Sequence, residues 1–292
     1  MLAAGCWGVA TVMTKGVLDH VAPLTLLVVQ LVASLGCLLP WLWLRQRSWS
    51  WDRRLWPQGL LGLLNPGLSY SFSLLGLALT SASLSTLLWA AEPVLIIGLA
   101  WLILRERLTP RLAGLAAVAS LGVLLVIQPG AAGTGRAAVL GNLLILAGVL
   151  CCALYTVLAR RLELRHDPLL IVAAQEAVAL VWALLIWPFE LRGLGLASLG
   201  QVPLSAWAWA AVSGVIYYAL AFWFYLRGLQ RMEASRAGLS LNLIPVFGLS
   251  TAYLFLGERL SAAQWAGAAL ILAAVTGVLL SMRQTAYRLS SS

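Results

Sequence analysis

A carboxylate inside a long apolar stretch is the residue in this chain best placed to do chemistry. Glu92 lies directly before Pro93, and Trp89 precedes it by three positions, which places the tryptophan and the carboxylate on one face of a helix. Ionisable residues in apolar segments are costly to bury and usually face a cavity or a partner. On the functional interpretation, Glu92 attracts a cationic group, such as a substrate amine, or carries a proton. On the structural alternative, it joins neighbouring helices through a hydrogen bond.

Aromatic and small polar residues accompany this carboxylate near the middle of other apolar stretches. A pocket with aromatic walls and a few polar groups suits a planar, apolar ligand with a polar head. Each aromatic residue taken alone is consistent with ordinary packing, so the prediction depends on their combination with Trp89 and Glu92. The residues that we predict to bind a small-molecule substrate are Thr11, Asn65, Ser69, Tyr70, Trp89, Glu92, Tyr155, Tyr218, Phe222 and Asn242.

The elements that must position these residues are membrane-spanning helices. Of the 292 residues, 62% are hydrophobic and only 10% are charged, whereas soluble domains carry roughly 25% charged residues. A helix needs about 20 apolar residues to cross the hydrocarbon core of a bilayer, and continuously apolar runs favour helices over a barrel. Ten such runs are present, at residues 2–18, 24–44, 57–79, 82–104, 111–128, 138–159, 168–188, 204–226, 235–256 and 262–282.

The distribution of basic residues predicts the orientation of these helices. With ten spans, both termini lie on one side of the membrane, and that side carries fifteen Lys and Arg residues against four on the other. Cytoplasmic loops are the ones enriched in Lys and Arg. We therefore expect a multi-pass protein of a bacterial-type inner membrane, surrounded by the lipid bilayer, with cytoplasmic N- and C-termini. The net charge of +9 then reflects topology, and no nucleic-acid partner is expected.

The two halves of the chain resemble each other. At an offset of 152 residues, Pro93 matches Pro245, and a Glu-Arg-Leu corner recurs; at an offset of 145, Gln30 matches Gln175. The two corners are Glu106-Arg107-Leu108 and Glu258-Arg259-Leu260. Because each half holds five spans, an odd number, the second half must enter the membrane from the opposite face. We predict two inverted five-helix repeats, residues 1–130 and 131–282, followed by a short cytoplasmic tail at 283–292. Inverted repeats are typical of secondary transporters.

These repeated corners resemble the EamA-type domain of the drug/metabolite transporter superfamily, in which a helix with a central proline ends at a Gly/Arg-Glu-Arg-Leu corner once per half. The resemblance covers essentially the whole chain. Length, span number and aromatic richness look most like the YddG-type aromatic amino-acid exporters. The resemblance implies a basket-like fold of ten helices, with a cavity lined mainly by the first, third, fourth, sixth, eighth and ninth. The first corner departs from the pattern because it reads Leu104-Arg105-Glu106, without the expected glycine.

Other polar residues within the spans favour structural roles. Gln30 and Gln175 occupy matching positions, which favours a hydrogen bond between helices. Glu176 has an apolar counterpart, Leu31, and is a weaker candidate for transport because we expect the outer spans of each half to face lipid or neighbouring helices. At the corners, Glu106 and Glu258 lie next to arginines and are expected to cap helix ends or form ion pairs.

Several classes of chemistry are absent from the sequence. The single lysine, Lys15, follows Thr14, so no Gly-Lys phosphate loop for ATP exists. The two histidines, His20 and His166, fall in loops on opposite predicted sides, which excludes a shared metal site. The four cysteines lie inside predicted spans and are expected to pack as apolar residues. We predict no cofactor, no metal, no catalytic residue and no enzymatic activity.

The combined pattern predicts a secondary transporter or facilitator that exports small organic solutes by alternating access. Aromatic or other apolar amino acids are the leading substrate class, and a proton is one candidate for the coupling ion. The alternatives are a carrier of other metabolites or of toxic cations, and a membrane scaffold that transports nothing. Neither the direction of net flux nor the oligomeric state follows from the residues.

Overall fold

The computed structural model describes residues 1–45, 53, 55–77, 79, 88–89, 91–106, 109–126, 136–162, 166–194, 196–244, 246–247, 250 and 262–290. These residues form helices and turns and contain no β-strand, which confirms the predicted all-α class for this part of the chain. The helices, each named here by the segments that compose it, are α1 (Leu2–Leu18), α2 (Pro23–Arg45), α3 (Leu55–Gly62, Leu63–Leu68 and Ser69–Leu77), α4 (Glu92–Leu99 and Ala100–Leu104), α5 (Pro110–Val126), α6 (Arg136–Arg161), α7 (Pro168–Leu194), α8 (Leu204–Gly214, Val215–Leu220 and Ala221–Leu229), α9 (Ala234–Ser240) and α10 (Ala262–Ser290). A short 3₁₀ helix, Leu196–Gln201, lies between α7 and α8.

Each predicted apolar run overlaps one of these helices. Four of the described helices are long and apolar enough to cross a membrane, and they fall in α2, α6, α7 and α8. Shorter apolar helices occur in α1, α4 and α10. The last helix continues to Ser290, so the predicted boundary between the tenth span and a tail at residue 283 falls inside a helix. The repeat residues Arg107, Leu108, Pro245 and Glu258 to Leu260 lie outside the described residues.

Helices α3 and α8 are interrupted at matching positions. In α3 the segment Leu63–Leu68 has wide, π-helical turns, and in α8 the segment Val215–Leu220 has the same form. The two segments are separated by the 152 residues that relate the two halves in sequence. In α3 the irregularity has a local cause, because Pro66 lacks a backbone N–H and Asn65 has extended backbone angles (φ −149°, ψ 120°). The α8 segment contains no proline, so the two helices are irregular at matching positions although only α3 has a proline there.

Two glycines at matching positions each contact a helix in the other half of the chain. Gly62 in α3 packs against the backbone of Gln175 in α7, and Gly214 in α8 packs against the backbone of Gln30 in α2. Gly62 and Gly214 are 152 residues apart, and Gln30 and Gln175 are 145 apart, the two offsets of the sequence repeat. The third helix of each half therefore crosses the second helix of the other half. Small residues at such crossings let two backbones approach closely.

Helices α2 and α7 each pack one side against other helices and expose the other side, as expected for outer spans that face lipid or neighbouring helices. Gln30 donates to Thr14 and Ser213 at 3.0 and 2.9 Å. Gln175 accepts a bond from Tyr155 at 2.9 Å and donates to the backbone of α3. The predicted interhelical role of the two glutamines is thus confirmed. Because both helices are apolar on most of their surface, hydropathy does not reveal which face contacts protein.

Carboxylates from other helices cap the starts of α2 and α9. Glu190, near the end of α7, accepts bonds from the backbone N–H groups of Leu24 and Thr25 at 2.9 and 2.8 Å, where α2 begins. Glu106 accepts a bond from the N–H of Ala234 at the start of α9 at 2.9 Å, which confirms its predicted role at a helix end. The first N–H groups of a helix have no partner within the helix, and a carboxylate also stabilises the positive end of the helix dipole.

Candidate solute-binding site

Tyr70 is at the centre of an aromatic cluster formed by α3, α8 and the turn before α4. Its ring stacks on Trp89 with 6.2 Å between centroids, and the edges of Tyr217 and Tyr218 contact it at 5.4 and 5.6 Å. Consecutive residues of a regular α-helix point about 100° apart. The wide turn at Val215–Leu220 holds Tyr217 and Tyr218 with centroids 5.1 Å apart, so both reach Tyr70. The helix irregularity therefore builds one wall of the cluster.

The cluster continues inward through Phe222, the repeat counterpart of Tyr70. Phe222 stacks on Tyr218 at 6.1 Å and makes edge contacts with Trp7 of α1 at 5.3 Å and with Tyr155 of α6 at 6.2 Å. Tyr155, Tyr218 and Phe222 are buried, whereas Tyr70 and Trp89 are half-buried. The cluster is thus closed at its Phe222 end and accessible at its Tyr70 end.

Beside the aromatic rings lies a small polar group centred on a thiol. Asn65 donates its amide N–H to Cys152 Sγ at 3.1 Å, and Glu92 lies next to the same thiol. Asn65 Oδ1 is buried and has no hydrogen-bond partner in the described part of the chain. Cys152 is also close enough to Tyr70 and Tyr155 to interact electrostatically with both. A carboxylate and a buried amide oxygen, both acceptors, therefore lie near one thiol and next to the rings.

The structure brings most of the predicted site residues together, and three of them are engaged in contacts within the protein. Ser69 donates to the Gly148 carbonyl at 2.9 Å and so joins α3 to α6. Thr11 donates to the Trp7 carbonyl in its own helix and interacts with the Tyr217 hydroxyl, which places it at the edge of the cluster. Asn242 donates to the Leu239 carbonyl within its own turn at 3.2 Å. These three hydroxyl or amide groups are used in protein contacts.

Trp89 contacts Tyr70 of α3, and Glu92 lies next to Cys152 of α6. Helix α4 begins at Glu92, with Pro93 in its first turn, and Trp89 lies in the helical residues just before it. Proline is favoured in the first turn of a helix because its missing N–H would have no partner there. That Trp89 and Glu92 share one helix face stays a prediction. The two residues border one site, because Tyr70 and Cys152 interact with each other.

Sequence reasoning missed three members of the site. Cys152 is expected from the sequence to pack as an apolar residue, whereas it accepts a bond from Asn65 and lies next to Glu92. Neither Tyr217 nor Trp7 is among the predicted residues. For both the available signal was position, since Trp7 is one helical turn from Thr11 and Tyr217 is the repeat counterpart of Asn65.

The site shows no metal-binding character. Among the described residues, no three His, Cys, Asp or Glu side chains are grouped so that they could hold a metal ion. The cysteines in this part of the chain are free thiols. The acceptor groups and rings of the site are suited to binding an organic molecule by contact and hydrogen bonding.

Comparison with known proteins shows a family model over most of the chain. The model of the EamA-like transporter family matches residues 1–128 and 139–280, that is, both halves of the internal repeat. A crystal structure of another protein superposes with a TM-score of 0.78, at 20% sequence identity, over 95% of both chains. At that identity the likeness establishes the fold alone.

Three curated relatives are similar over about two thirds of the chain. The uncharacterized transporter YyaM of Bacillus subtilis is 28% identical over 202 residues, which are 68% of this chain and 65% of that protein. An uncharacterized transporter of Archaeoglobus fulgidus is 25% identical over 73% of both chains. The uncharacterized transporter YetK of Bacillus subtilis is 25% identical over 72% of this chain and 64% of its own length. The matched region thus spans slightly less than two thirds of both Bacillus proteins.

Proposed function

Because this chain belongs to the EamA-like transporter family, we propose that it is a secondary transporter that exports small organic solutes, with aromatic or other apolar amino acids as the leading class. The curated relatives are named as transporters, which supports transport in general and does not bear on the solute. The choice of solute comes from the site itself.

The observation that carries this choice is the juxtaposition of an open aromatic ring pair and two buried acceptors. Tyr70 and Trp89 present half-buried rings, against which a planar side chain can stack or pack edge-on. Glu92 and Asn65 both lie next to Cys152: Asn65 donates from Nδ2 to the thiol, and its Oδ1 is buried without a hydrogen-bond partner among the described residues. An ammonium group carries three donors and a positive charge, so it satisfies both acceptors at once. An amino acid with an aromatic side chain has this combination of groups.

Alternating access needs two packings of similar energy around one site. We propose that residues 1–130 and 131–282 are inverted repeats that supply them. Support comes from the exchanged contacts of Gly62 with Gln175 and of Gly214 with Gln30, and from the matched interruptions in α3 and α8. In each of α3 and α8 a tight glycine contact is followed directly by an irregular segment. The glycine contact therefore fixes one end of each helix, and the irregular segment allows the other end to change its angle.

We also propose the orientation that the basic residues predict, with both termini in the cytoplasm of a bacterial-type inner membrane. The family and the four long apolar helices support a multi-pass membrane protein. The excess of Lys and Arg on one predicted side supplies the orientation.

The direct test is solute flux through purified protein in liposomes. We expect labelled tryptophan and phenylalanine to equilibrate faster across liposomes that contain the protein than across empty liposomes. The panel should include an aliphatic amino acid, a deaminated aromatic acid and a planar organic cation. Rates equal to those of empty liposomes for every amino acid would remove the proposed substrate class.

A toxic organic cation is the second candidate, because rings and a carboxylate also bind cations. It is favoured if the planar cation in the panel moves and the amino acids do not. Movement of no solute at all would favour a scaffold without transport activity. Resistance of cells to toxic amino-acid analogues, measured with and without expression of the chain, separates the scaffold from both carriers.

A further inference from the structure

A second carboxyl is buried in the centre of the molecule, away from the polar group around Cys152. Glu176 of α7 is 1% exposed, and neither of its two oxygens forms a hydrogen bond within the described part of the chain. Most buried polar groups in proteins have a partner, and a buried charge without one is costly. Burying this carboxyl without a partner costs free energy, so its presence needs an explanation other than packing.

Among the described residues, no charged group that balances Glu176 faces it. From α2 the facing group is the hydroxyl of Ser34, which is itself buried and forms no hydrogen bond among the described residues. From α6 and α8 the titratable groups that interact with it are the phenols of Tyr155 and Tyr218. Near Glu176, α3 contacts α7 through Gln58 and Gly62, which do not titrate. One carboxyl and one hydroxyl are too few oxygens to enclose a metal cation, which takes six or more.

The internal repeat provides a built-in comparison. The counterparts of Glu176 and Ser34 at the offset of 145 are Leu31 and Ala179, and both are completely buried. The same place in the fold is therefore filled once by an apolar pair and once by a carboxyl and a hydroxyl. Because Leu31 and Ala179 fill this place in one half, the fold does not need a carboxyl and a hydroxyl at the matching place in the other half.

The carboxyl is also connected to the proposed solute site. Tyr218 contacts the ring of Tyr70, the centre of that site, at 5.6 Å, and Tyr155 contacts Phe222 at 6.2 Å. Both phenols interact with Glu176. A solute that displaces Tyr70 and Tyr218 thus changes the immediate surroundings of the carboxyl, without touching it.

From this geometry we propose that Glu176 is the proton-binding site that couples solute movement to a proton gradient, with the proton carried on a carboxyl oxygen between α2 and α7. This inference rests on the proposed transport function. In the coupled cycle, the carboxylate takes one proton from water on one side and releases it to water on the other, as the solute moves in the opposite direction. Glu92, next to the rings, then serves the solute and not the proton.

The test separates coupling from transport by using two assays on the full-length protein in liposomes. The first measures accumulation of labelled tryptophan driven by a pH gradient, and the second measures exchange of labelled for unlabelled tryptophan at equal pH on both sides. We expect Glu176→Gln to lose accumulation and to retain exchange. The matched control is Glu233→Gln, which makes the same chemical change in a partly exposed ion pair with Arg236 and should keep both activities.

A second variant tests the proposal even if Glu176→Gln misfolds. Glu176→Leu combined with Ser34→Ala installs the apolar pair that the other half already carries at this place, and it should fold and show the same loss of accumulation only. Two results would overturn the proposal and leave the transport function standing. One is accumulation that survives in either variant. The other is a wild-type protein that exchanges tryptophan and accumulates it in response to a sodium gradient but not to a pH gradient.

Failure of the transport function has a different signature, because exchange is then absent in the wild type as well. In that event a measurement that needs no solute decides the proton site. Infrared difference spectra across a pH titration should contain a carboxylic-acid band that disappears in Glu176→Gln. A titration without such a band contradicts proton binding at Glu176.

Discussion

Gly62 lies directly against the backbone of Gln175, so closely that a Cβ atom at position 62 would overlap the Gln175 carbonyl group. Its counterpart Gly214 lies against Gln30 in the same way, and a Cβ there would come within 2.5 Å of the Gln30 backbone. These two contacts cross-connect the halves of the molecule. They also precede the irregular segments that carry Asn65 in α3 and Tyr217 and Tyr218 in α8, so they hold in place the helices that form the site.

Adding one methyl group at this crossing should destabilise the protein. For Gly62→Ala we expect a loss of about 1–3 kcal/mol in the free energy of unfolding, because the neighbouring atoms belong to the Gln175 backbone and cannot turn aside. The measurement is thermal unfolding in detergent. The matched control is Gly36→Ala on α2, where a Cβ meets no atom within 4 Å. Equal unfolding temperatures for the two variants would contradict the close crossing.

Removing the central ring of the cluster should weaken solute binding. Tyr70 has aromatic contacts with three neighbours, and an aromatic pair is worth about 0.5–1.5 kcal/mol. A bound aromatic solute makes a contact of this kind, so Tyr70→Ala should weaken its binding by up to about tenfold. Tyr70→Phe keeps the ring and should keep most of the affinity. Trp209→Ala, at an exposed position on α8, is the control for a lost aromatic residue. An unchanged Kd in Tyr70→Ala would place the solute elsewhere.

The carboxylate of Glu92 should discriminate between solutes with and without an amine. A hydrogen bond to a charged group contributes about 1.5–3 kcal/mol, so Glu92→Gln should weaken tryptophan binding by roughly tenfold or more. The deaminated analogue, which lacks the ammonium group, should bind the variant at least as well as the wild type. Competition binding with both ligands measures the difference. An equal loss for both ligands would contradict an ammonium contact. Under the alternative in which Glu92 carries the proton, the pH dependence of flux would change instead.

The proposed orientation predicts which ends of the chain are accessible from each side. In a variant without the four native cysteines, single cysteines at positions 48 and 290 should react with an impermeant thiol reagent only after the cytoplasmic side is exposed. A cysteine at position 192, in the break after the seventh span, should react from the outside. Reaction of positions 48 and 192 from the same side would show that the two halves cross the membrane in the same sense, and the inverted repeat would be wrong.

The chain's own residues predicted much of the fold because its signals are local or periodic. Ten apolar runs follow from the length needed to cross a bilayer, each overlaps a described helix, and four of the described helices are long and apolar enough to cross. The offsets of 145 and 152 residues, found in sequence, reappear as the spacing of the glutamines, the glycines and the irregular helix segments. The predicted hydrogen-bonding role of Gln30 and Gln175 also followed from their matched positions.

Positions of side chains were harder to predict. Glu176 was a weaker candidate because the outer spans were expected to face lipid or neighbouring helices, and its side chain is 1% exposed among neighbouring helices. Ser69 donates to the Gly148 carbonyl, a contact that the spacing along the chain does not predict. Within a chain that is apolar on every face, the 3.6-residue period that identifies the inner face of a soluble helix is absent.

The sequence by itself determined that the chain is helical, apolar enough for a membrane and built from two related halves, since these properties depend on composition and on order along the chain. Only the tertiary structure decided that Asn65 and Glu92 lie next to Cys152, and that α2 and α7 are each crossed by a helix of the other half. The reason is that helix–helix contacts in such a chain depend on small residues and close packing between distant segments. Those contacts leave no periodic trace in either segment alone.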